Sequence, residues 1–264
     1  MTQIGITEQG DAAVYASWKK WVYDKQLPAI LITKDPRELI RSNQELFCGN
    51  LKGNVILHAT ITGMGGTVFE PGVKNWAVQL DFLEEVLNKS YFHKERLVIR
   101  LDPIIPTFAI LNDVYLENII NISKFAVKNN LRFRTSFFDY YPHVRERFSK
   151  LALENPPQMA ELILNLNKAQ PELHLPLDSR IAFLEVLKEY TGLTDEMIEI
   201  CGEPGMKCTG CVSQKDLDIF GIKLDEDPIT GKQRPACACL GLKKELLDNK
   251  HPCMHNCMYC YWKN

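Results

Sequence analysis

Four runs of apolar, largely β-branched residues recur along the first half of the chain, most of them followed by a stretch with helical spacing. This alternation limits the fold more than any other feature. The runs are Pro28–Thr33, Asn54–Thr62, Arg96–Asp102 and Arg132–Phe138. They are nearly continuous in apolar character, as strands buried on both faces are. Residues 36–47, 75–88 and 112–129 read as the helices between them, and Asp35 followed by Pro36 is a helix start. Strand–helix–strand repetition of this kind implies right-handed βαβ units and a parallel sheet. Further helices are expected at 12–26, 143–154, 157–168, 179–191 and 241–248, with a strand at Met197–Cys201 and a short strand or loop at Leu175–Leu177. Five or six such units make an α/β fold with a partial or small parallel (β/α) barrel, not an eight-unit one. Residues 1–200 are assigned to the barrel, and 201–264 to a cysteine-rich segment that caps it.

The 264 residues suffice for one large domain, and 45% hydrophobic with 24% charged residues is ordinary for a globular protein. The net charge of −2 provides no global field toward nucleic acid or membrane. A nucleic-acid partner stays open without support from charge. No apolar run is long enough to span a bilayer, and Met1–Gly10 lacks the apolar stretch of a signal peptide, so the expected location is cytoplasmic. In a reducing compartment the nine cysteines are better explained by metal than by disulfides. Their placement agrees: Cys48 stands alone in the first 200 residues, and the other eight fall between 201 and 260.

In parallel α/β folds, ligands sit at the C-terminal ends of the strands. That rule selects Lys34, Thr62–Thr67, Asp102, Ser136, Asp139 and Cys201 as rim residues. The cluster Gly63-Met-Gly65-Gly66 at a strand end allows close approach of backbone to a ligand, or simply a tight turn. Cys253-x3-Cys257-x2-Cys260 is a triplet of thiols on a short loop, able to hold three corners of a four-iron cluster. Zinc is the alternative, with His251 or His255 as fourth ligand. Upstream, Cys208-x2-Cys211 with Cys237-x-Cys239 would satisfy a structural zinc. Alternatively, four of Cys201, Cys208, Cys211, Cys237 and Cys239 would hold an auxiliary iron–sulfur cluster. His58, in mid-strand, reads as core. Arg145 and Arg147 read as a solvated helix face.

The triplet, with Tyr259 before its last cysteine, resembles the cluster loop of radical S-adenosylmethionine (SAM) enzymes. The run Gln233-Arg234-Pro-Ala-Cys237-Ala-Cys239, followed by Cys253-Met-His-Asn-Cys257-Met-Tyr-Cys260-Tyr, resembles the C-terminal signature of the DUF1848 family. Arg100-Leu-Asp102-Pro-Ile-Ile105, Thr60-Ile-Thr-Gly63 and Ser136-Phe-Phe-Asp139-Tyr are also similar to stretches of that family, whose members are regarded as radical-SAM-like. The resemblance implies a barrel of radical-SAM type and an enzyme of unknown reaction, with a distant, fold-level analogy to DNA-lesion lyases of the spore photoproduct type. It implies a SAM-binding [4Fe–4S] cluster on Cys253, Cys257 and Cys260. It also implies an auxiliary cluster on Cys201, Cys211, Cys237 and Cys239, with Cys208 as an alternative ligand. Two departures stand out: Glu203 is displaced by one from the family's Ser-Cys-Ala-Glu, and Val212-Ser213 replace Ile-Asp after Cys211.

By the same resemblance Gly63, Gly65 and Gly66 approach the methionine amine of SAM, although Thr67 replaces the usual Glu. Tyr259 packs near the adenine or caps the barrel. Catalytic candidates are Asp102, Asp139 and Tyr141. Arg100 pairs with Asp102, or both meet substrate. Asp139, Tyr140, Tyr141 and His143 carry a radical relay or stack a base. The implied electron donor is a reductase, flavodoxin or ferredoxin. The rival readings are a non-catalytic, zinc-stabilised protein that binds a ligand or nucleic acid, and an iron–sulfur electron-transfer partner.

Overall fold

A computed structural model describes residues 3–48, 54–89, 91–154, 157–223, 237–248 and 253–262. In chain order the elements are β1 (Ile4–Ile6), β2 (Ala29–Thr33), α1 (Pro36–Arg41), α2 (Gln44–Cys48), β3 (Val55–Thr60), α3 (Trp76–Leu87), β4 (Leu97–Ile104), α4 (Pro106–Leu111) and α5 (Asp113–Asn129). Then come β5 (Arg132–Phe137), α6 (Pro142–Glu154), α7 (Pro157–Ala169), α8 (Leu177–Thr191), β6 (Ile198–Ile200), α9 (Gln214–Phe220) and β7 (Lys243–Glu245). The helix boundaries have local causes. Asp35 caps α1 by accepting from Glu38 N, Asn75 caps α3 and Asn112 caps α5. Asn130 and Gly192 end α5 and α8 in the left-handed region.

The seven strands form one all-parallel sheet in the order β6-β5-β4-β3-β2-β1-β7, curled into a half-barrel and flanked by helices. The predicted partial barrel is therefore the fold. Its two edges, β6 and β7, border an open seam. Part of the segment assigned to the cap belongs to the sheet itself, because β7 pairs with β1 through Ile4↔Lys243 and Ile6↔Glu245.

The sheet separates two cores. Its convex face carries Leu31, Leu57, Ile99 and Phe133, which pack under helix residues such as Leu39, Leu83, Ile122 and Leu184. Its concave face carries Ile4, Ile6, Ile30, Ile32, Ile56 and Val98, packed against Cys201, Cys211, Leu217, Cys239 and Leu242. Because neighbours in register share a face, a second, polar tier lies beside this apolar one: Thr60, Arg100, Arg134 and Glu199 are consecutive partners across β3 to β6. Buried Arg134 is neutralised by Glu199 and by Asp216 of α9, and Arg132 is bound by the same two carboxylates.

Several elements differ from the sequence reading. Residues 12–26 form turns and one π-helical turn at Lys20–Asp24. Asp11 takes the amide of Ala13 at 2.8 Å and fixes that turn. The 36–47 helix breaks at Ser42 and Asn43 into α1 and α2, and Asn43 Nδ2 bonds the Leu39 carbonyl at 2.8 Å. The stretch 241–248 holds the short strand β7 at Lys243–Glu245 and no helix.

Candidate metal centres at the mouth and the seam

The triplet loop is built from two successive turns. Asn256 N bonds Cys253 O at 3.3 Å, and Cys260 N bonds Cys257 O at 3.2 Å. Between them Asn256 takes φ +53°, a conformation asparagine tolerates well. These turns gather Cys253, Cys257 and Cys260 at the C-terminal mouth of the sheet, with Cys257 buried and the other two partly buried.

The loop is held by the segment after β3, the one that begins with the glycine cluster. Gly72 N donates to His255 O at 3.1 Å and Met258 N to Phe69 O at 2.9 Å. A Cβ on Gly72 would stand 2.1 Å from the Met254 carbonyl oxygen, so only glycine permits this approach. Within the cluster, Gly63 and Gly66 have positive φ, and a Cβ on Gly65 would meet Lys74 O at 2.1 Å. The Gly63 carbonyl accepts from Asn118 Nδ2 at 2.9 Å. Gly63, Gly65, Gly66 and the triplet thus belong to one docked unit.

Two buried polar networks lock it. Lys34 Nζ donates to Glu70 Oε1 at 2.6 Å and to the Tyr259 hydroxyl at 2.7 Å, while that hydroxyl donates to Glu70. Thr62 Oγ1 occupies the other Glu70 oxygen at 2.6 Å. Burial opposes the Lys34 charge, but Glu70, with Cys257 and Asp102 nearby, holds it above the ordinary lysine range. Burial pushes the Cys257 thiol up to about 12, with Lys34 opposing. In the second network His255 Nε2 meets Asp11 Oδ2 at 2.9 Å, and its Nδ1 meets the Gly72 carbonyl at 3.3 Å. Both partners are acceptors, so a ring protonated on both nitrogens would satisfy both contacts. Burial opposes that charge, and Asp11 outweighs it.

Asp102 adjoins this mouth on the inner side. Arg100 Nε donates to it at 2.6 Å and Ser136 Oγ donates to its other oxygen. Burial opposes its charge, but Arg100 and Ser136 hold the carboxyl below its usual range. Asp139 lies elsewhere on the rim, 2.7 Å from His174 Nδ1, and accepts from Tyr141 OH at 3.2 Å. The Tyr141 ring is 4.7 Å from that of Tyr261, beside the triplet. The expected solvated face of α6 is partly committed: Arg147 Nη2 donates to Cys260 O at 2.6 Å, and Arg145 lies over the Tyr140 ring.

The second cysteine group occupies the seam. Cys201 follows β6, Cys237 and Cys239 precede β7, and Cys211 lies between. The Cys201 and Cys211 sulfurs are 3.2 Å apart, Cys211 N donates to Cys239 Sγ at 3.0 Å, and Cys237 and Cys239 share a side-chain hydrogen bond. Cys208 is turned to the Glu203 backbone instead, with Sγ 3.2 Å from Glu203 N. Cys211 Sγ lies 2.8 Å from Glu8 Oε1, and Lys243 pairs with the other Glu8 oxygen. Hydrogen bonds from Cys201 and Cys239 hold the Cys211 thiol well below its usual range. Burial, with the Cys211 sulfur next, pushes Glu8 up to about 7.

Among the described residues no three His, Cys, Asp or Glu side chains converge on the point that one metal ion would occupy. A four-iron cluster takes one thiolate per iron and spaces its sulfurs more widely than a single ion does. The donor chemistry of the triplet, thiols with a lysine alongside, fits such a cluster, whereas the seam sulfurs of Cys201 and Cys211, 3.2 Å apart, would have to separate to hold one. His251, Gln233 and Arg234 lie outside the described residues. Sequence reasoning missed Asp11, Glu70, Glu8, Lys243 and His174. The dipeptide Gly10-Asp11 just past Ile4–Ile6 was a strand-end signal, hidden because a three-residue strand carries little pattern.

No curated protein and no solved structure matches the chain. Residues 27–262 match the model of a domain of unknown function, DUF1848, a span that includes both cysteine groups. The chain belongs to the DUF1848 family.

Proposed function

We propose that the protein is a radical SAM enzyme whose [4Fe–4S] cluster is held by Cys253, Cys257 and Cys260, with a second cluster on Cys201, Cys211, Cys237 and Cys239. The observation that carries this reading is the placement of three thiols on two consecutive turns at the mouth of a parallel half-barrel, docked on a glycine-rich strand-end loop. When bound, such a cluster with SAM supplies a 5′-deoxyadenosyl radical by one-electron cleavage of a C–S bond; the protein's task is binding, orientation and shielding.

The chain's own residues suit that task. Lys34, Glu70 and Tyr259 fix the loop and shield Cys257. Gly65 lets the Lys74 backbone approach, and Gly63 and Gly66 supply the positive-φ turns of the loop. Asp102, bound by Arg100 and Ser136, holds a negative charge beside Lys34. Asp139 accepts a hydrogen bond from Tyr141 and lies against His174, and the Tyr141 ring packs on Tyr261 beside the triplet. The electron donor is a reductase, flavodoxin or ferredoxin.

The zinc alternative with His255 as fourth ligand is weakened by one observation: both nitrogens of His255 are engaged, by Asp11 and Gly72. The test is anaerobic purification with iron and sulfide analysis, followed by incubation with SAM and a strong reductant. Iron, sulfide and 5′-deoxyadenosine are expected, with the product lost in Cys257→Ala. Zinc without iron would sink the enzyme reading. Iron without 5′-deoxyadenosine would make the protein an electron-transfer partner.

A further inference from the structure

We propose that Cys201 and Cys211 are a reversible dithiol–disulfide couple, whose oxidised form locks the seam of the metal-free protein and withholds both sulfurs from metal. The proposal goes beyond the reading of the seam as a cluster site and does not rest on it.

Placement carries the inference. The two sulfurs are 3.2 Å apart. Two thiolates on one tetrahedral zinc stand about 3.8 Å apart, and the ligands of a cluster stand further. This pair is therefore closer than either metal would hold it, and about 1 Å of further approach makes a disulfide. The backbone sets the approach. Cys201 N donates to Thr135 O at 3.0 Å at the end of β6, and Thr209 N returns to Ile200 O at 2.9 Å. Arg134 Nη1 holds the Cys211 carbonyl at 2.7 Å. The other seam thiols are engaged elsewhere: Cys208 with the Glu203 backbone, Cys239 with the Cys211 amide, and Cys237 with Cys239.

Cys211 is the sulfur that reacts first. Its S–H is directed at Glu8 Oε1, 2.8 Å away, and Lys243 lies on the other Glu8 oxygen; reactive thiols have such a cation alongside. Glu8 is only partly buried and marks the side from which a small oxidant approaches. With a peroxide, the Cys211 sulfur takes one oxygen, the O–O bond breaks, and the thiol proton leaves with the departing hydroxide as water. The Cys201 sulfur then attacks the sulfenic acid so formed. The S–S bond forms, the S–O bond breaks, and the hydroxyl leaves with the Cys201 proton as a second water. Two electrons pass from the thiol pair to the peroxide, and a dithiol reverses the bond by exchange. In a reducing compartment such bonds are transient and serve redox sensing. The bond would staple the end of edge strand β6 to the approach of α9, which begins after Ser213 and carries Asp216, the partner of Arg132 and Arg134.

The experiment uses the full chain, stripped of metal with a chelator, reduced, freed of reductant and treated without oxygen with one equivalent of hydrogen peroxide. Free thiols are alkylated after unfolding, and the non-reduced digest is mapped by mass spectrometry. The expected result is a Cys201–Cys211 crosslink as the main product at the seam, loss of alkylation at those two positions, and its return with dithiothreitol. Cys208→Ser should keep the crosslink, whereas Cys211→Ser should leave Cys201 fully alkylated. The same peroxide in urea should spread the crosslinks over other cysteine pairs, since the fold selects this one. Absence of the Cys201–Cys211 crosslink, a seam crosslink mapped to Cys239 instead, or equal selectivity in urea would overturn the proposal. Should Cys211→Ser fail to fold, the map of the unsubstituted chain decides. The readout involves no metal, so its failure is separate from a failure of the cluster reading, which iron and sulfide analysis of the reduced, loaded protein decides.

Discussion

Lys34 shows how much one side chain settles at the mouth. It is the cation between Glu70, Tyr259 and Cys257, and Glu70 has no exposure of its own. Replacing Lys34 with Met strands a buried carboxylate, and stranding one partner of a buried pair costs about 3–5 kcal/mol. Urea unfolding should show a loss of that size, and Lys34→Met with Glu70→Gln should recover part of it. Asp102 gives a pH prediction. Its carboxyl is held below the ordinary value, so it contributes stability that is fully present above about pH 4 and lost as pH falls through the lowered folded value. Asp102→Asn should flatten the acid limb of a stability–pH curve below about pH 4 while lowering stability at neutral pH. At this scale the sequence was legible for chemistry and mute on partners. Thiols, glycines and Asp102 announced themselves by type and spacing. Glu70 and Asp11 did not, because an acidic residue in a loop looks solvated until the loop that covers it is in place.

Among the elements, those buried on both faces were readable and those at the edges were not. Strands β2 to β5 carry five to eight residues each, nearly all buried, and a run of that kind has few other uses. Strand β7 is Lys-Lys-Glu. Leu242 and Leu246, four apart, imitate a helix there. What makes this segment a strand is remote: β1 provides the ladder, Glu8 pairs with Lys243, and the Glu8 amide donates to the Glu245 carboxylate. Helix α9 was hidden for a similar reason, since its Asp216 is used by arginines of β5. The β3–α3 connection is the element to perturb. Gly72→Ala forces the triplet loop off its seat, because the added carbon collides with backbone and not with a mobile side chain. Iron bound at the triplet should fall sharply while iron at the seam persists, as counted by iron analysis with and without Cys257→Ala.

Seen whole, the half-barrel has two cysteine groups that share one short stretch of chain. Cys239 closes the seam, β7 follows, and the triplet comes next. Metal bound at the seam would therefore tether the strand from which the triplet loop departs. Metal binding that requires a folded site adds to folding free energy. Stripping metal with a chelator should lower the thermal midpoint, and Cys239→Ala should remove the seam metal and reduce cluster formation at the triplet as well. A normal triplet signal in Cys239→Ala would show that the two sites are independent.

The pairing of β1 with β7 also fixes when the molecule can mature. Ile4 N bonds Leu242 O at 2.9 Å, joining the two ends of the described chain. A ribosome adds about 5–20 residues per second, so β1 emerges roughly ten to fifty seconds before its outer neighbour exists. Strands β2 to β6 can assemble on it in that interval, but the outer edge of β1 and the wall of the seam cannot. The seven cysteines of the two groups lie between residues 201 and 260, so all of them emerge after β6. A group held between Cys201 and Cys239 would therefore have its full ligand set only once the residues just ahead of β7 have emerged.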